Sequence, residues 1–356
     1  MQDFPLPPSW VREALIDGGV IPAHPLALDR ARRFDERRQR GLTRYYHACG
    51  AIGVAVGVHT TQFEIRDPQI GLYGPVLRAA AETVIECDEA ADRRTVLIAG
   101  IAGETTHAVA EARLARSLGY HAGLLSLGAM RAATLESTLA HVRAVAGEIP
   151  IVGFYLQPAV GGMHLPYEFW RRLCELENLV AIKIAPFNRY QTLDVAAAVA
   201  DAGRAGDVAL YTGNDDAIVA DLITPLDVGA ATGRLRIVGG LLGQWACWTE
   251  RAVALHRECR AATAAGSIPA DLLERGAQLT RLNAAVFDVE NSYRGSIAGV
   301  NEVLRRAGLL ETSLCLDPHA DLSPGQAAAI DAAARRFPWL TDDEFVRANS
   351  ARWVDA

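Results

Sequence analysis

The sequence predicts an α/β fold: a closed (β/α)8 TIM barrel with a C-terminal helical appendage. Three observations support this. Short β-branched runs alternate with longer segments of helical period from about residue 19 to 262. The strand runs are almost continuously apolar, which is typical of parallel strands buried on both faces. The chain has 356 residues, half of them apolar, which suffices for a core of barrel size.

Eight runs are predicted as strands: VIPAHPLA, AIGVAVGVHTT, TVLIAGIA, HAGLLSL, PIVGFYLQP, VAIKIAP, VALYTGND and RIVGGLLG. Segments of helical period lie between them, such as HAVAEARLARSLG and LESTLAHVRAVAG. Eight strand–helix alternations favour a closed barrel, and a doubly wound open sheet is the competing arrangement.

The pattern divides the chain into three segments. Residues 1–18 form an N-terminal extension and residues 19–265 the predicted barrel. In residues 266–356, helical segments follow one another with no strand run between them. This last segment is therefore predicted as a helical region.

Composition excludes some classes of function. The net charge is −7, and the arginine cluster at 30–40 is interleaved with acidic residues, which argues against a nucleic-acid surface. The longest apolar run, AIGVAVGV, is too short to span a bilayer. The six cysteines form no CxxC pair and no signal-peptide pattern opens the chain, so free thiols and a cytoplasmic location are expected.

Lys183 is the only lysine among 35 lysine and arginine residues, and it lies in the apolar run VAIKIAP. Side chains alternate along a strand, so Ala181, Lys183 and Ala185 share one face, which we predict to be the barrel interior. Burial lowers the pKa of a lysine, and the neutral amine can attack a carbonyl, whereas a guanidinium stays charged. The alternative interpretation is that one lysine survived codon drift by chance.

Tyr155 ends the fifth predicted strand, 28 positions before Lys183 (183 − 155). This separation corresponds to one helix plus two half-strands, so the two side chains are predicted to meet at one end of adjacent strands. A phenol beside an amine can relay protons during imine formation. Tyr155 could instead close the barrel with its hydroxyl on water.

Four further residues, on three strands, follow from the rule that barrel active sites form where strands end. Thr60 and Thr61 follow strand two, where their hydroxyls and amides could bind a carboxylate. Gly213 and Gly240, on strands seven and eight, could let a ligand approach the backbone. Ordinary turns and loops use the same residue types.

Other chemistries have weaker support. The nine histidines form no HExxH pattern, although His24 and His59 fall near the ends of strands one and two. A metal-dependent barrel enzyme using these two histidines is therefore an alternative. No nucleotide-binding loop and no GxSxG elbow is present, so no cofactor is expected.

The residues resemble the dihydrodipicolinate synthase/N-acetylneuraminate lyase superfamily of class I aldolases and dehydratases. The resemblance lies in IPAHPLALD, Thr60-Thr61, AGIAGETT, the Tyr of FYLQP and the Lys of AIK, and it extends over roughly 19–340. It implies that Lys183 forms a Schiff base with a 2-oxo acid, that Tyr155 shuttles protons and that Thr60 and Thr61 bind the carboxylate. It also implies a homo-oligomer, a dimer or tetramer.

The sequence departs from that family in three places. No Arg follows Tyr155 within residues 156–160, HTTQFE lacks the family's flanking glycines, and SLGAM replaces a Pro-Tyr-Tyr stretch. We therefore predict a Schiff-base-forming lyase, an aldolase or a dehydratase, that acts on a 2-oxo acid such as pyruvate or a longer keto acid and whose reaction is not dihydrodipicolinate synthesis itself. The alternative from another class is a barrel that binds a small carboxylic acid without catalysis.

Overall fold

A computed structural model describes residues 4–229 and 234–355. The strands within these ranges are β1 (Val20–Pro22), β2 (Gly53–Val56), β3 (Val96–Ile101), β4 (Ala122–Leu125), β5 (Ile151–Leu156), β6 (Leu179–Ala185), β7 (Ala209–Thr212) and β8 (Ile237–Leu242). The α-helices are α1 (Ser9–Asp17), α2 (Glu36–Cys49), α3 (Tyr73–Ala91), α4 (Thr105–Ser117), α5 (Leu135–Ala146), α6 (Tyr167–Leu173), α7 (Arg189–Asp201), α8 (Ile218–Ile223), α9 (Thr249–Ala264), α10 (Ala270–Val286), α11 (Ser296–Arg306), α12 (Gln326–Arg336) and α13 (Asp343–Val354).

The strands form a parallel sheet in the order β1-β8-β7-β6-β5-β4-β3-β2. The seam between β1 and β2 is closed by a parallel bridge from Ala23 to Ala55, with the His24 amide donating to the Ala55 carbonyl at 2.8 Å. The pairing of β8 with β1 is incompatible with an open doubly wound sheet. The predicted (β/α)8 barrel is confirmed.

Strand alternation produces two cores. One fills the barrel interior and includes Phe154, Ala181, Ala185 and Tyr211, while the larger one packs between the strands and the surrounding helices. Because α1 contributes Val11 and Leu15 to the interior core, it covers one end of the barrel. The other end, where the strands terminate, is left for the loops and for the C-terminal helices.

Three of the described helices, α2, α5 and α7, begin after a short polar residue whose side chain accepts from a free backbone amide. Asn188 caps α7, accepting from the Tyr190 amide at 3.0 Å and from the Gln191 amide at 3.3 Å. Only residues 186–188 lie between the end of β6 and the start of α7, so the loop above the sixth strand is short. The end of β6 is thereby held close to the barrel mouth.

Helices α10 to α13 follow the barrel, and the C-terminal part that the structure describes contains no strand. Their contacts with the barrel include two hydrogen bonds of 2.7 Å. The Tyr45 hydroxyl of α2 donates to Asp342 Oδ2 at 2.7 Å, and Asn283 Nδ2 of α10 donates to the Asp215 carbonyl at 2.7 Å. The three-segment division stays a prediction, and residues 1–3 and 356 of its outer segments lie outside the described residues.

Two further findings concern helices and thiols. In the described ranges, no helix is both long enough and apolar enough to cross a membrane. All six cysteines are free thiols, and five of them are buried. The cytoplasmic location stays a prediction.

Candidate active site

Lys183 lies on β6 with its side chain directed into the barrel interior, as the alternation of the strand predicted. It is buried beside a cavity of about 70 Å³ at the end where the strands terminate. The cavity walls include Val58, His59, Thr60, Phe154, Phe187 and Asp215. No hydrogen-bond partner of the amine is found in residues 4–229 and 234–355, so it is free to meet a ligand.

Gly213 provides the space that the lysine side chain occupies. A Cβ atom at this position would lie 2.7 Å from Lys183 Cε and 2.7 Å from the Ala185 Cβ, closer than such atoms approach. Gly213 therefore lies next to Lys183, and its lack of a side chain leaves space for the methylene groups of the lysine. Direct approach of a ligand to the Gly213 backbone stays a prediction.

Burial dominates the electrostatics of the lysine. It lowers the Lys183 pKa to about 8, against an opposing contribution from the negative charge of Asp215. Burial likewise raises the Asp215 pKa to about 7, with the hydrogen bond from the Gln244 amide and the lysine charge opposing this rise. A pKa near 8 leaves about a tenth of the amine neutral at pH 7, a far larger share than an exposed lysine has, and nucleophilic attack requires this neutral form.

The residue that faces Lys183 from β5 is Phe154. The two residues are direct partners in the parallel ladder, and the Lys183 Nζ lies 4.6 Å from the centroid of the Phe154 ring. Such a contact stabilises a cation but offers no proton. The β5 side of the amine is therefore aromatic and offers no proton donor.

The prediction that Tyr155 lies beside Lys183 is wrong. Tyr155 packs in the outer core against Trp170, with ring centroids 5.2 Å apart, and its hydroxyl accepts from the Leu165 amide at 3.3 Å. A register shift is the cause: Ile151 pairs with Leu179, but Val152 pairs with Ala181. Val180 is thus an extra residue in β6, and it turns Phe154 rather than Tyr155 toward the lysine.

The two threonines after β2 have different surroundings. The Thr61 hydroxyl donates to the His24 carbonyl at 2.6 Å and accepts from the Gly57 amide at 2.9 Å and the Val58 amide at 3.2 Å. Its hydroxyl capacity is filled, which contradicts a carboxylate-binding role for that group. Thr60 does line the cavity, although its hydroxyl donates to the Ala23 carbonyl at 2.8 Å.

His24 and His59, the two histidines of the alternative metal site, have separate surroundings. His24 is buried, and its ring nitrogens lie 2.9 Å from the Thr43 hydroxyl and 2.8 Å from the Pro25 carbonyl. His59 lines the cavity, and burial together with the lysine charge lowers its pKa to about 4, so its ring is neutral. The described residues contain no cluster of three or more metal-ligating side chains.

Gly240 does not line the cavity. A Cβ atom there would meet Leu242 at 2.7 Å and the Trp245 ring at 2.8 Å, both on the outer side of β8. The prediction that Gly240 contacts the ligand is wrong, because its small size accommodates the Trp245 ring. Gly243, one residue after β8, lines the cavity instead.

Sequence reasoning missed several cavity residues. The sequence places Asp215 in the polar turn after strand seven, but no pattern in that turn distinguishes it from the neighbouring Asp216. Phe187, Phe287 and Tyr293 also line the cavity. The last two come from the helical C-terminal region, and no periodic pattern predicts which of its loops folds over a barrel.

Comparison with known proteins agrees with this architecture. A family model described as the dihydrodipicolinate synthetase family matches residues 78–336, which is more than half of the chain. The chain therefore belongs to the dihydrodipicolinate synthetase family. This membership confirms the resemblance that the sequence indicated.

Two curated relatives are named 4-hydroxy-tetrahydrodipicolinate synthase. The protein from Clostridium novyi is 30% identical over 39% of this chain and 46% of its own length. The protein from Cyanothece sp. is 32% identical over 42% of this chain and 49% of its own length. The matched part spans about half the length of these relatives.

Solved structures share the fold at low sequence identity. A dihydrodipicolinate synthase from Oceanobacillus iheyensis aligns with a TM-score of 0.73 and 16% identity, covering 92% of this chain and 99% of that chain. The CdNal protein from Clostridium difficile, solved with mannosamine, aligns with a TM-score of 0.71 and 15% identity, covering 90% and 99%. These similarities support the fold alone.

Proposed function

We propose that this member of the family is a Schiff-base-forming lyase, an aldolase or a dehydratase, that acts on a 2-oxo acid. One observation carries the proposal: the only lysine of the chain is buried beside a cavity at the barrel mouth, with a pKa near 8. A lysine used for charge alone would gain nothing from that burial, because desolvation disfavours the ammonium. The family to which the chain belongs supports the same reaction class.

The chemistry follows from the amine. Lys183 Nζ adds to the 2-oxo carbon, and loss of water gives an iminium whose positive nitrogen attracts electrons from the adjacent carbon. A carbanion next to the iminium is thereby stabilised. In aldol cleavage, the bond between this carbon and the next one breaks: its electron pair passes to the iminium and gives the enamine, while a base takes the proton of the hydroxyl on the departing carbon, which leaves as a carbonyl. In dehydration, a base takes a proton from the carbon next to the iminium, and the resulting enamine expels the hydroxyl of the following carbon as water after protonation.

The cavity walls favour an apolar substrate beyond the 2-oxo acid group. Three phenylalanines line them, Phe154, Phe187 and Phe287, and no arginine is among the described lining residues. A second carboxylate would face Asp215 without a cationic partner. We therefore propose a reaction of pyruvate or of a longer keto acid with an uncharged remainder, rather than dihydrodipicolinate synthesis itself.

The carboxylate of the 2-oxo acid would contact His59 and Thr60. A neutral imidazole has one N–H to donate to a carboxylate, and Thr60 lies next to it on the same wall. The homo-oligomer, a dimer or tetramer, also remains a proposal. Its mass can be measured by light scattering.

Reductive trapping tests the proposal. Incubation with borohydride and pyruvate, or with longer 2-oxo acids, should add the mass of the reduced adduct to a single peptide containing Lys183. The Lys183→Arg variant should show no adduct and no turnover, because a guanidinium does not lose its proton at these pH values.

A lysine that forms no adduct with any 2-oxo acid would overturn the proposed function. An adduct without turnover of any keto acid would favour a barrel that binds without catalysis. Circular dichroism of Lys183→Arg is the control, and we expect its fold to be largely intact.

A further inference from the structure

Tyr293 reaches the lysine cavity from outside the barrel. It lies in the segment between α10 and α11, and Phe287 and Ser296 from the same stretch also line the cavity. The C-terminal helices therefore complete a pocket that the strand ends alone leave open. Tyr293 is the phenol in the part of this lining that the structure describes, because Phe154 stands beside the amine and Tyr155 faces outward.

The backbone of this segment is strained. Asp288, Ser292 and Tyr293 have φ values of 55°, 55° and 67°, in the left-handed region that bulky residues avoid. Such a conformation persists only where the surrounding structure imposes it. Strain of this kind clusters at functional sites, so the conformation of Tyr293 itself indicates a role.

A buried polar network imposes the conformation. The Asp288 carboxylate accepts from the Gly295 amide at 3.0 Å, the Ser323 hydroxyl at 2.5 Å and Asn291 Nδ2 at 2.6 Å. Gln326 Nε2 at the start of α12 donates to the Gly295 carbonyl at 3.0 Å. The segment is thus fixed at both ends, and the Tyr293 ring is held in place before any ligand binds.

The surroundings of the phenol suit proton donation. Its ring meets Phe187 edge-on at a centroid distance of 6.1 Å. Burial, followed by the negative charge of Asp216, raises the Tyr293 pKa, while a hydrogen bond with Gln157 opposes that rise. The hydroxyl therefore keeps its proton at neutral pH and can give it to a developing oxyanion.

We infer that the Tyr293 hydroxyl is the proton-transfer group of the lysine cavity, replacing the phenol that the β5 register turns away. The inference rests on the proposed function, since it needs an imine at Lys183. Its structural basis is independent of that function and consists of the shared cavity, the strained backbone and the network that fixes it. Tyr293 is thus assigned a catalytic role in a region outside the barrel.

The Tyr293 hydroxyl alone can supply and accept each proton that formation of the imine and the enamine requires. When Nζ adds to the 2-oxo carbon, the phenol protonates the oxyanion and its phenolate takes a proton from the nitrogen. The phenol then protonates the carbinolamine hydroxyl, which leaves as water, while the nitrogen lone pair forms the iminium. The phenolate finally removes a proton from the carbon next to the iminium, which gives the enamine and restores the phenol.

Hydrogen exchange tests this assignment without knowledge of the full substrate. At the proposed site, the protein accelerates loss of the C3 protons of pyruvate and 2-oxobutyrate in D2O through the enamine, and NMR follows this loss above the rate without protein. We expect Tyr293→Phe to lower the exchange rate by about 100-fold, the lower range of general acid–base catalysis. Borohydride trapping at Lys183 after long incubation should still reach completion, because slow imine formation needs no general acid.

The matched control is Tyr190→Phe, which removes a phenol that is 81% exposed on α7 and should leave exchange unchanged. Exchange by Tyr293→Phe at the wild-type rate would overturn the inference, as would a wild-type protein that traps but does not exchange. Failure of the wild-type protein to trap any 2-oxo acid would instead overturn the proposed function. If Tyr293→Phe and Tyr190→Phe unfold at the same temperature as the wild-type protein, a folding defect is excluded.

Discussion

The two sides of the barrel mouth carry similar polar residues but use them in different ways. At the β1–β2 seam, His24 and Thr61 have their hydrogen-bonding groups engaged with the backbone and with neighbouring side chains. At the ends of β6 and β7, Lys183 and Asp215 face a cavity, and burial shifts both pKa values toward neutrality. A polar group whose bonds are filled stabilises the fold, whereas the Lys183 amine, which has no hydrogen-bond partner in the described residues, is available for chemistry.

Gly213→Ala should have the largest effect at the ends of β6 and β7, where Lys183 and Asp215 face the cavity. The new methyl would lie 2.7 Å from Lys183 Cε, so the amine must move, and a displacement of about 1 Å can lower a rate by about 100-fold. The rate of imine trapping at Lys183 measures this effect. Gly206→Ala is the control, because nothing lies within 4 Å of its added Cβ.

Thr61→Val tests the seam. It leaves the amides of Gly57 and Val58 without their acceptor, and we expect the free energy of unfolding to fall by about 1–3 kcal/mol. Urea denaturation gives the value, and the trapping rate should stay unchanged. Thr60→Val, in the cavity wall, is the matched variant and should weaken 2-oxo acid binding; the comparison fails if Thr61→Val is the more damaging of the two to binding.

Asp215→Asn tests how the negative charge of Asp215 affects the Lys183 pKa. The negative charge of Asp215 raises the Lys183 pKa, so its removal should move that pKa below about 8. Because the neutral amine reacts, trapping should then become fast at a lower pH than in the wild type. The pH dependence of the trapping rate gives the inflection, and a shift to higher pH would contradict the assigned coupling.

Tyr155→Phe should have the smallest effect. The hydroxyl makes only long hydrogen bonds in the outer core, so the trapping rate should change by no more than about twofold, equivalent to a few tenths of a kcal/mol. A proton relay at this position would require a loss of about 100-fold or more. Stopped-flow trapping distinguishes the two outcomes.

Sequence reasoning predicted the barrel, its order of elements and the inward direction of Lys183, because these depend on periodicity and on strand alternation. It failed for Tyr155 because alternation fixes a face only within one uninterrupted register, and the extra residue Val180 carries no recognisable signal. It missed Tyr293 because the contact joins segments that lie far apart in the chain. It misjudged Thr61 because a hydroxyl's availability depends on its neighbours in space.

The extra residue in β6 also bears on how relatives are compared. Tyr155 and Lys183 are 28 positions apart, the separation from which the sequence predicted that they share one site. In space, the pairing of Phe154 with Lys183 spans 29 positions (183 − 154). Separation along the sequence and pairing across the sheet therefore disagree at one strand pair. Transfer of residue roles among distant barrels should start from strand registers, with sequence columns as a secondary guide.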